Sequence, residues 1–385
     1  MLRADATGSD VRPRYDYVEG IRALACLTVV LNHAVAEAFP ILYRVEIPSM
    51  LSILQLWFAF GHHAVTAFIV VSGFCLGLPL AGGDFAKPVA CGPFMARRIA
   101  RIVPPYYAAL VISVLVCFTM FKYPAGMHFD FSAHPRPSDI AAHFLLIQNV
   151  FGTGQINYSL WSIATELQIY MLFPFLVALV RKRNGWIGAA AIAVVAYSIS
   201  YFAADSRLGR AAIHFVGAFI FGIGASWITK SGHHVAQRLR SVAVWPIVFI
   251  GGLGCVALWT KALPMAKYQS VQLVQDAIVM VAIAALLIAC TTPKSPLRRV
   301  LELKPLVWIG ERSYSLYLLH VPIQAALLKV AISTLDLTHT ERLIFSLTVG
   351  FGILLGLTWV FHRVVEIPAM ALSRGIGKQS RVVKV

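Results

Sequence analysis

The sequence predicts an all-α, polytopic membrane bundle of about ten transmembrane helices with both termini on the cytoplasmic side, and three observations lead there. The 385 residues are 58% hydrophobic and only 13% charged, about half the charged share of a soluble domain. Whole windows lack charge: residues 47–83, 102–121, 184–204, 211–229, 241–260 and 343–362 hold no Asp, Glu, Lys or Arg. Such windows match the roughly 20 apolar residues a spanning helix needs, and they lack the polar–apolar alternation of barrel strands. Spans are expected near 17–36, 55–80, 102–121, 160–180, 186–204, 211–229, 242–260, 272–291, 306–328 and 343–362. With the amino terminus inside, about two thirds of the 33 Lys and Arg fall on inner connections, the asymmetry of the positive-inside rule. The net charge of +16 therefore calls for a lipid bilayer and no nucleic-acid partner, and a multi-pass protein of the inner or plasma membrane is expected.

Residues 1–16 read as a polar cytoplasmic segment, 17–365 as one membrane domain and 366–385 as a basic cytoplasmic tail. No cleavable signal peptide is expected, because the first apolar stretch lacks a cleavage site. Segment 139–151 is apolar but too short to span. If it spanned, Arg181-Lys182-Arg183 would land outside, so it reads as a re-entrant or surface helix. The six cysteines stand singly, which signals neither a disulfide framework nor a zinc cluster. No fixed-period repeat is visible, and the oligomeric state is not readable.

Ionisable residues inside spans are costly unless paired or facing a cavity, so each is a functional candidate. In the first span Glu19, Arg22, Cys26, Val29 and His33 recur at steps of three and four, on one helical face. Arg22 falls near the inner interface and His33 in the outer half. Arg22 also suits a snorkelling anchor, and His33 a packing histidine. Histidine is the side chain best suited to take a hydroxyl proton at neutral pH. At the entry of the third span, Arg98 and Arg101 lie one turn apart with Arg97 beside them, a cationic group suited to phosphates or to plain anchoring. Pro104 and Pro105 are expected to end or kink a helix running in from residue 94.

The fourth span brings Trp161 and, below the outer surface, Glu166, which needs a cationic partner or a proton. The ninth brings Ser313, Tyr317 and His320 on one face. The adjacent pair His62-His63 makes a weak metal claim by itself, and no metal is expected.

These segments together resemble the membrane acyltransferase-3 family. The resemblance rests on Glu19-Gly20-Ile21-Arg22 with His33 eleven residues later, Phe68 to Phe74 with Ser72-Gly73, Arg98 to Pro104, Leu160-Trp161-Ser162 through Glu166 to Pro174, and Ser313 to Pro322. They occur in the family's order and reach Pro368, nearly the whole chain. The resemblance implies acyl transfer, with acetyl expected, from cytosolic acyl-coenzyme A to a hydroxyl of a surface or exported carbohydrate-type acceptor or small molecule. It implies His33 as the essential histidine, taken here as base, and Arg98 and Arg101 at the donor phosphates. From their positions in the spans, Glu166 is expected as a supporting catalytic group, Arg22, Ser72 and Gly73 at the donor, and Trp161, Tyr317 and His320 at the acceptor. Some members carry an extracytoplasmic esterase-like domain, and none is expected here. Direct transfer and an acyl-histidine intermediate both remain open. A polar stripe through a bundle also describes an exporter without chemistry, the competing reading, which a new ester product would separate from the enzyme.

Overall fold

The structure is a computed structural model that describes residues 15–382 apart from 44, 152, 204–205, 207–210 and 263–267. Among the described residues there are helices, turns and loops, and no strands. Helix α1 (Asp16–Ala38) is followed by α2 (Ser52–Ala81) and α3 (Cys91–Met120). An outer connection carries two short helices, α4 (Pro137–Phe144) and α5 (Gln148–Phe151). Then come α6 (Trp161–Val180), α7 (Gly185–Phe202) and α8 (Phe215–Lys230). Helices α9 (His234–Ser241), α10 (Trp245–Ala262) and α11 (Tyr268–Ala289) lead to the short α12 (Pro296–Leu301) and α13 (Lys304–Glu311). The chain ends with α14 (Ser313–Thr334) and the near-continuous α15 (His339–Phe345), α16 (Phe351–Phe361) and α17 (Ile367–Val382), joined by π turns.

Among the described residues eight helical segments are long and apolar enough to cross a membrane, or nine if the α9–α10 pair, bent by 66°, counts as one span. The expected sixth span appears as α8, an apolar helix of 16 residues. Segment 139–151 forms α4 and α5 and does not span. The expected ninth span, 306–328, is broken at Arg312 between α13 and α14. Helix α3 starts earlier than expected and runs through Pro104 and Pro105 without ending. There the Tyr314 hydroxyl, from α14, donates to the Ile102 carbonyl (2.8 Å), a tertiary contact that supports the helix where proline removes ladder donors. The segment read as a tail is helical over α17, which packs along α3 with Ser373 Oγ donating to the Arg97 carbonyl (2.9 Å).

The most extensive helix contact joins α2 and α8, and glycine makes it possible. A Cβ on Gly222 would lie 2.0 Å from the Val70 carbonyl oxygen, and one on Gly73 would lie 2.2 Å from that of Phe219. Small residues let backbones approach where lipid offers no hydrophobic drive to association. At the inner end a Cβ on Gly310 would meet the Glu19 carbonyl at 2.0 Å. That contact seats α1 against α13 and fixes the turn of α1 that carries Arg22. Helix α1 also packs on α2 and α14, so its polar face is enclosed by the bundle.

Two outcomes test this architecture. With the amino terminus inside, reporter fusions after Lys182, Gly232 and Lys294 read cytoplasmic and one after Leu335 reads external. An external Lys182 would mean that 137–151 crosses the membrane after all. Gly222→Ala forces α2 and α8 apart and lowers stability by about 1–3 kcal/mol, read as an earlier unfolding midpoint in detergent. Gly254→Ala, whose added carbon meets nothing within 4 Å, serves as control; equal midpoints for the two would disprove the close approach.

Candidate active site

Toward the C-terminal end of α1, α1 and α14 bring two histidines together. His33 Nδ1 lies 2.7 Å from His320 Nε2, with the ring planes 2° apart, and His320 Nδ1 lies 2.7 Å from the Tyr317 carbonyl oxygen. A carbonyl can only accept, so neutral His320 carries its proton on Nδ1 and offers a lone pair at Nε2. His33 then donates from Nδ1, which leaves its own Nε2 as a bare lone pair. His33 lines a cavity of about 230 Å³, together with Val29, Asn32, Gly61, His62, Val65, Ser159, Trp161, Gln272 and Tyr317. His320 is fully buried and does not line it. One imidazole thus faces the cavity and the other fixes its proton.

The outer connection folds over this pair. The Tyr158 ring stands edge-on to His33 with centroids 4.8 Å apart, and its hydroxyl donates to Glu37 Oε1 (2.7 Å). Glu37 Oε2 accepts from the Phe129 backbone N–H (3.0 Å), which ties the 122–159 connection to the outer end of α1. Burial, reinforced by the Glu37 carboxylate, raises the Tyr158 phenol well above its ordinary range, so it stays a donor. His128, packed against Tyr158 at 5.0 Å, is held below the usual histidine range by burial and is neutral at neutral pH. Below them the Tyr317 hydroxyl pairs with Ser162 Oγ (2.7 Å), which joins α14 to α6.

About 16 Å down the α1 face, eleven residues of helical rise, lies a second polar cluster. Arg22 bonds Glu19 (3.1 Å) and approaches Cys75 Sγ (3.7 Å). Arg98 and Arg101 lie within electrostatic reach of the same cysteine. Arg98 sits over the rings of Phe94 (5.4 Å) and Tyr170 (5.9 Å). Its Nε is buried without a hydrogen-bond partner, a vacancy that native structures seldom leave. Glu166 accepts from Ser72 Oγ (2.5 Å) and from the Tyr170 hydroxyl.

The expected residues therefore separate into two levels. His33, Trp161 and Tyr317 share the outer cavity. Glu166, read from its depth as a support for the imidazole, bonds Ser72 and Tyr170 instead. His320, read as an acceptor contact, holds the supporting position at His33. Gly73, read as a donor contact, is occupied by the α2–α8 backbone approach.

Sequence reasoning missed Asp276. It is fully buried between His62 (3.0 Å), His63 (2.8 Å), His214 (3.4 Å) and Thr66 (2.6 Å). The signal was present, since Asp276 is the lone acid of the eighth expected span and falls under the same cost rule as Glu166. Glu37 is buried against Tyr158, and Glu366 bonds His362 (2.8 Å) and Ser315; neither was singled out from the sequence.

Comparison with known proteins identifies the family. Residues 15–363 match the model of a family described as acyltransferase domain. The chain is 27% identical over 342 residues to "Peptidoglycan O-acetyltransferase OatA" of Listeria monocytogenes, which covers 80% of this chain and 49% of that protein. It is 25% identical over 342 residues to "O-acetyltransferase OatA" of Staphylococcus aureus, covering 81% and 51%. It is 23% identical over 344 residues to "Putative peptidoglycan O-acetyltransferase YrhL" of Bacillus subtilis, covering 80% and 48%. The chain spans about half the length of the curated relatives it matches. No solved structure matches.

Proposed function

The chain belongs to this acyltransferase family, and on that premise we propose that it is a membrane O-acetyltransferase. It takes an acetyl group from cytosolic acetyl-coenzyme A and esterifies a hydroxyl of a surface glycan of the peptidoglycan class, with His33 as general base. The observation that carries this reading is the directed chain from the Tyr317 carbonyl through His320 to His33. It leaves a proton-accepting Nε2 on a ring that lines the cavity.

A sugar hydroxyl attacks poorly until its proton is taken. As the acceptor oxygen attacks the thioester carbonyl, its proton passes to His33 Nε2. The carbon–sulfur bond then breaks, and the leaving thiolate recovers that proton from His33. The products are the ester and the free thiol, and His33 returns to its starting tautomer. His320 acts as a positioning residue: its Nε2 accepts from His33 Nδ1 and stabilises the imidazolium formed midway, the role a carboxylate plays in hydrolase triads. The Trp161 ring, stacked on His62 at 5.8 Å, offers a flat apolar wall of the kind that packs against a sugar face.

Donor and acceptor approach from opposite sides. A nucleotide-bearing thioester carries several negative charges and cannot cross the bilayer, whereas the glycan lies outside. Arg22, Arg98 and Arg101 concentrate positive charge at the lower level, and the unpartnered Arg98 Nε is a donor waiting for an acceptor such as a phosphate oxygen. The polar face of α1 would then carry the acyl-bearing arm from that cluster to His33. With the amino terminus inside, the protein is a plasma-membrane enzyme that couples the two compartments.

Two measurements test the reading. With acetyl-coenzyme A and a soluble peptidoglycan oligosaccharide, His33→Ala loses about 10²–10⁴ in turnover at unchanged donor binding. His320→Gln, whose amide oxygen still accepts from His33 Nδ1, loses less than His320→Leu. Retention of more than a tenth of wild-type turnover by His33→Ala removes His33 from the base role. A trapped labelled acyl-enzyme without acceptor would replace direct transfer with a covalent route.

For the donor site, Arg98→Ala or Arg101→Ala weakens coenzyme A binding by about 1–3 kcal/mol. Arg98→Lys recovers only part, because an ammonium lacks the planar fork. Unchanged affinity in both alanine variants would move the donor elsewhere.

A further inference from the structure

Beyond the base and the arginine cluster, the bundle holds a third polar centre that acyl transfer leaves unused. We propose that His62, His214 and Asp276 form a binding site for one divalent transition-metal ion of the zinc type. The residues come from α2, the residue capping α8, and α11, positions far apart in sequence. His62 Nε2, a ring nitrogen of His214 and an Asp276 carboxylate oxygen all lie within 4.8 Å of one another.

The hydrogen bonds around Asp276 divide its two oxygens between different tasks. Oδ1 accepts from Thr66 Oγ1 (2.6 Å) and faces His63 Nδ1 (2.8 Å). Those two partners fix the carboxylate plane, as the outer partners of a metal-bound carboxylate do. Oδ2 is turned toward His62 Nε2 (3.0 Å) and His214 Nε2 (3.4 Å). A tetrahedral ion bound at about 2.0–2.2 Å holds its ligand atoms about 3.4 Å apart, so both spacings to Oδ2 already fit within a few tenths of an ångström.

His214 supplies the independent observation. The residue is 6% exposed, and neither ring nitrogen makes a hydrogen bond. Its Nε2 lies near Oδ2 without the alignment a hydrogen bond needs. A buried polar atom left without a partner is costly, and a ligating imidazole presents a lone pair, not a proton, toward a carboxylate and a second imidazole. Two imidazoles with one carboxylate suit zinc and its neighbours in the first transition row; calcium and magnesium ask for six or more oxygens. Three protein ligands leave a fourth position for water. His62 and Gln272, one turn before Asp276 on α11, both line the cavity and give the ion a route in. The adjacent pair His62-His63 divides the work: one ring ligates and the other orients the carboxylate.

Metal binding is read without any acceptor and stands apart from the acyl-transfer assays. The full chain, purified in detergent and stripped with a chelator, is titrated with Zn²⁺ by calorimetry, and its bound metal is counted by elemental analysis. The expected result is one ion per chain with a dissociation constant in the micromolar range or tighter. His214→Ala and Asp276→Asn each weaken binding at least 100-fold, and His63→Ala weakens it about 10–100-fold through the carboxylate it orients. No stoichiometric uptake by the wild type would show Asp276 to be a buried histidine–aspartate pair only. Uptake undiminished in both ligand variants would place the ion elsewhere on the chain and equally overturn the site. Should the variants fail to fold, X-ray absorption on zinc-loaded wild type decides. A shell of light atoms with scattering from two imidazoles supports the site, and a shell containing sulfur or lacking imidazole overturns it.

Discussion

The hydrogen bond between His33 and His320 links two helices whose contributions to the site stand 287 residues apart. It dictates which nitrogen of His33 is bare, and the Tyr317 carbonyl behind it dictates the direction of the chain. That direction would be lost if α14 turned on its axis, and several contacts prevent it. Tyr317 bonds Ser162 on α6, Ser315 bonds Glu366 in the π turn before α17, and Tyr314 bonds the Ile102 carbonyl on α3. A single turn of α14 is thus tied to three different neighbours. The position of one proton on His33 thus depends on packing across much of the bundle.

The two levels of the site follow from the physics of the bilayer. Positive charge gathers at one level, where Arg22 finds Glu19, and where Arg98 lies over two aromatic rings. At the outer level the polar groups are neutral by construction or paired in hydrogen-bonded sets, as His33 with His320 and Glu37 with Tyr158. The proposed anionic donor would be drawn to the first level and would find no cationic attraction into the second, so only its uncharged acyl end would have reason to reach His33. On that proposal the separation of charge along α1 would sort the two halves of the donor without a moving part.

Much of this was legible in the sequence, and the limits have physical causes. Spans were readable because lipid demands long uncharged helices, and the one-sided stripe of α1 was readable because residues three and four apart share a face. Glu166 was read as level with His33, but it lies beside Tyr170, over which Arg98 sits, and so belongs with the arginine cluster. Its partners, Ser72 on α2 and Tyr170 one turn on, depend on how α6 is rotated, which no periodicity in so uniformly apolar a helix reveals. The break at Arg312 was hidden for a related reason: α13 and α14 read as one apolar run. Gly310 seats α13 against α1, and that approach becomes visible only once the two helices are in contact. Asp276 was a different kind of miss. The rule that singled out Glu166 applied to it equally, but its importance comes from three histidines on two other elements, and such convergence is a property of the fold.

The way acidic residues are used connects these cases. The chain has only 17 Asp and Glu, yet Glu37, Asp276 and Glu366 are each at most 3% exposed. A carboxylate accepts at two oxygens, so a single buried one can hold donors from several elements at once. Glu37 joins α1 to the 122–159 connection, and Asp276 joins α11 to α2 through His63 and Thr66. Among lipid tails, apolar side chains gain little by choosing protein over lipid, so helix association relies on close packing and on polar ties. The α2–α8 contact supplies the packing through Gly73 and Gly222. The same two helices meet again at Asp276, nearer their outer ends, where His62 and His214 converge. His62 belongs to that pair and also lines the cavity with His33, so the α2–α8 packing positions one wall of the site.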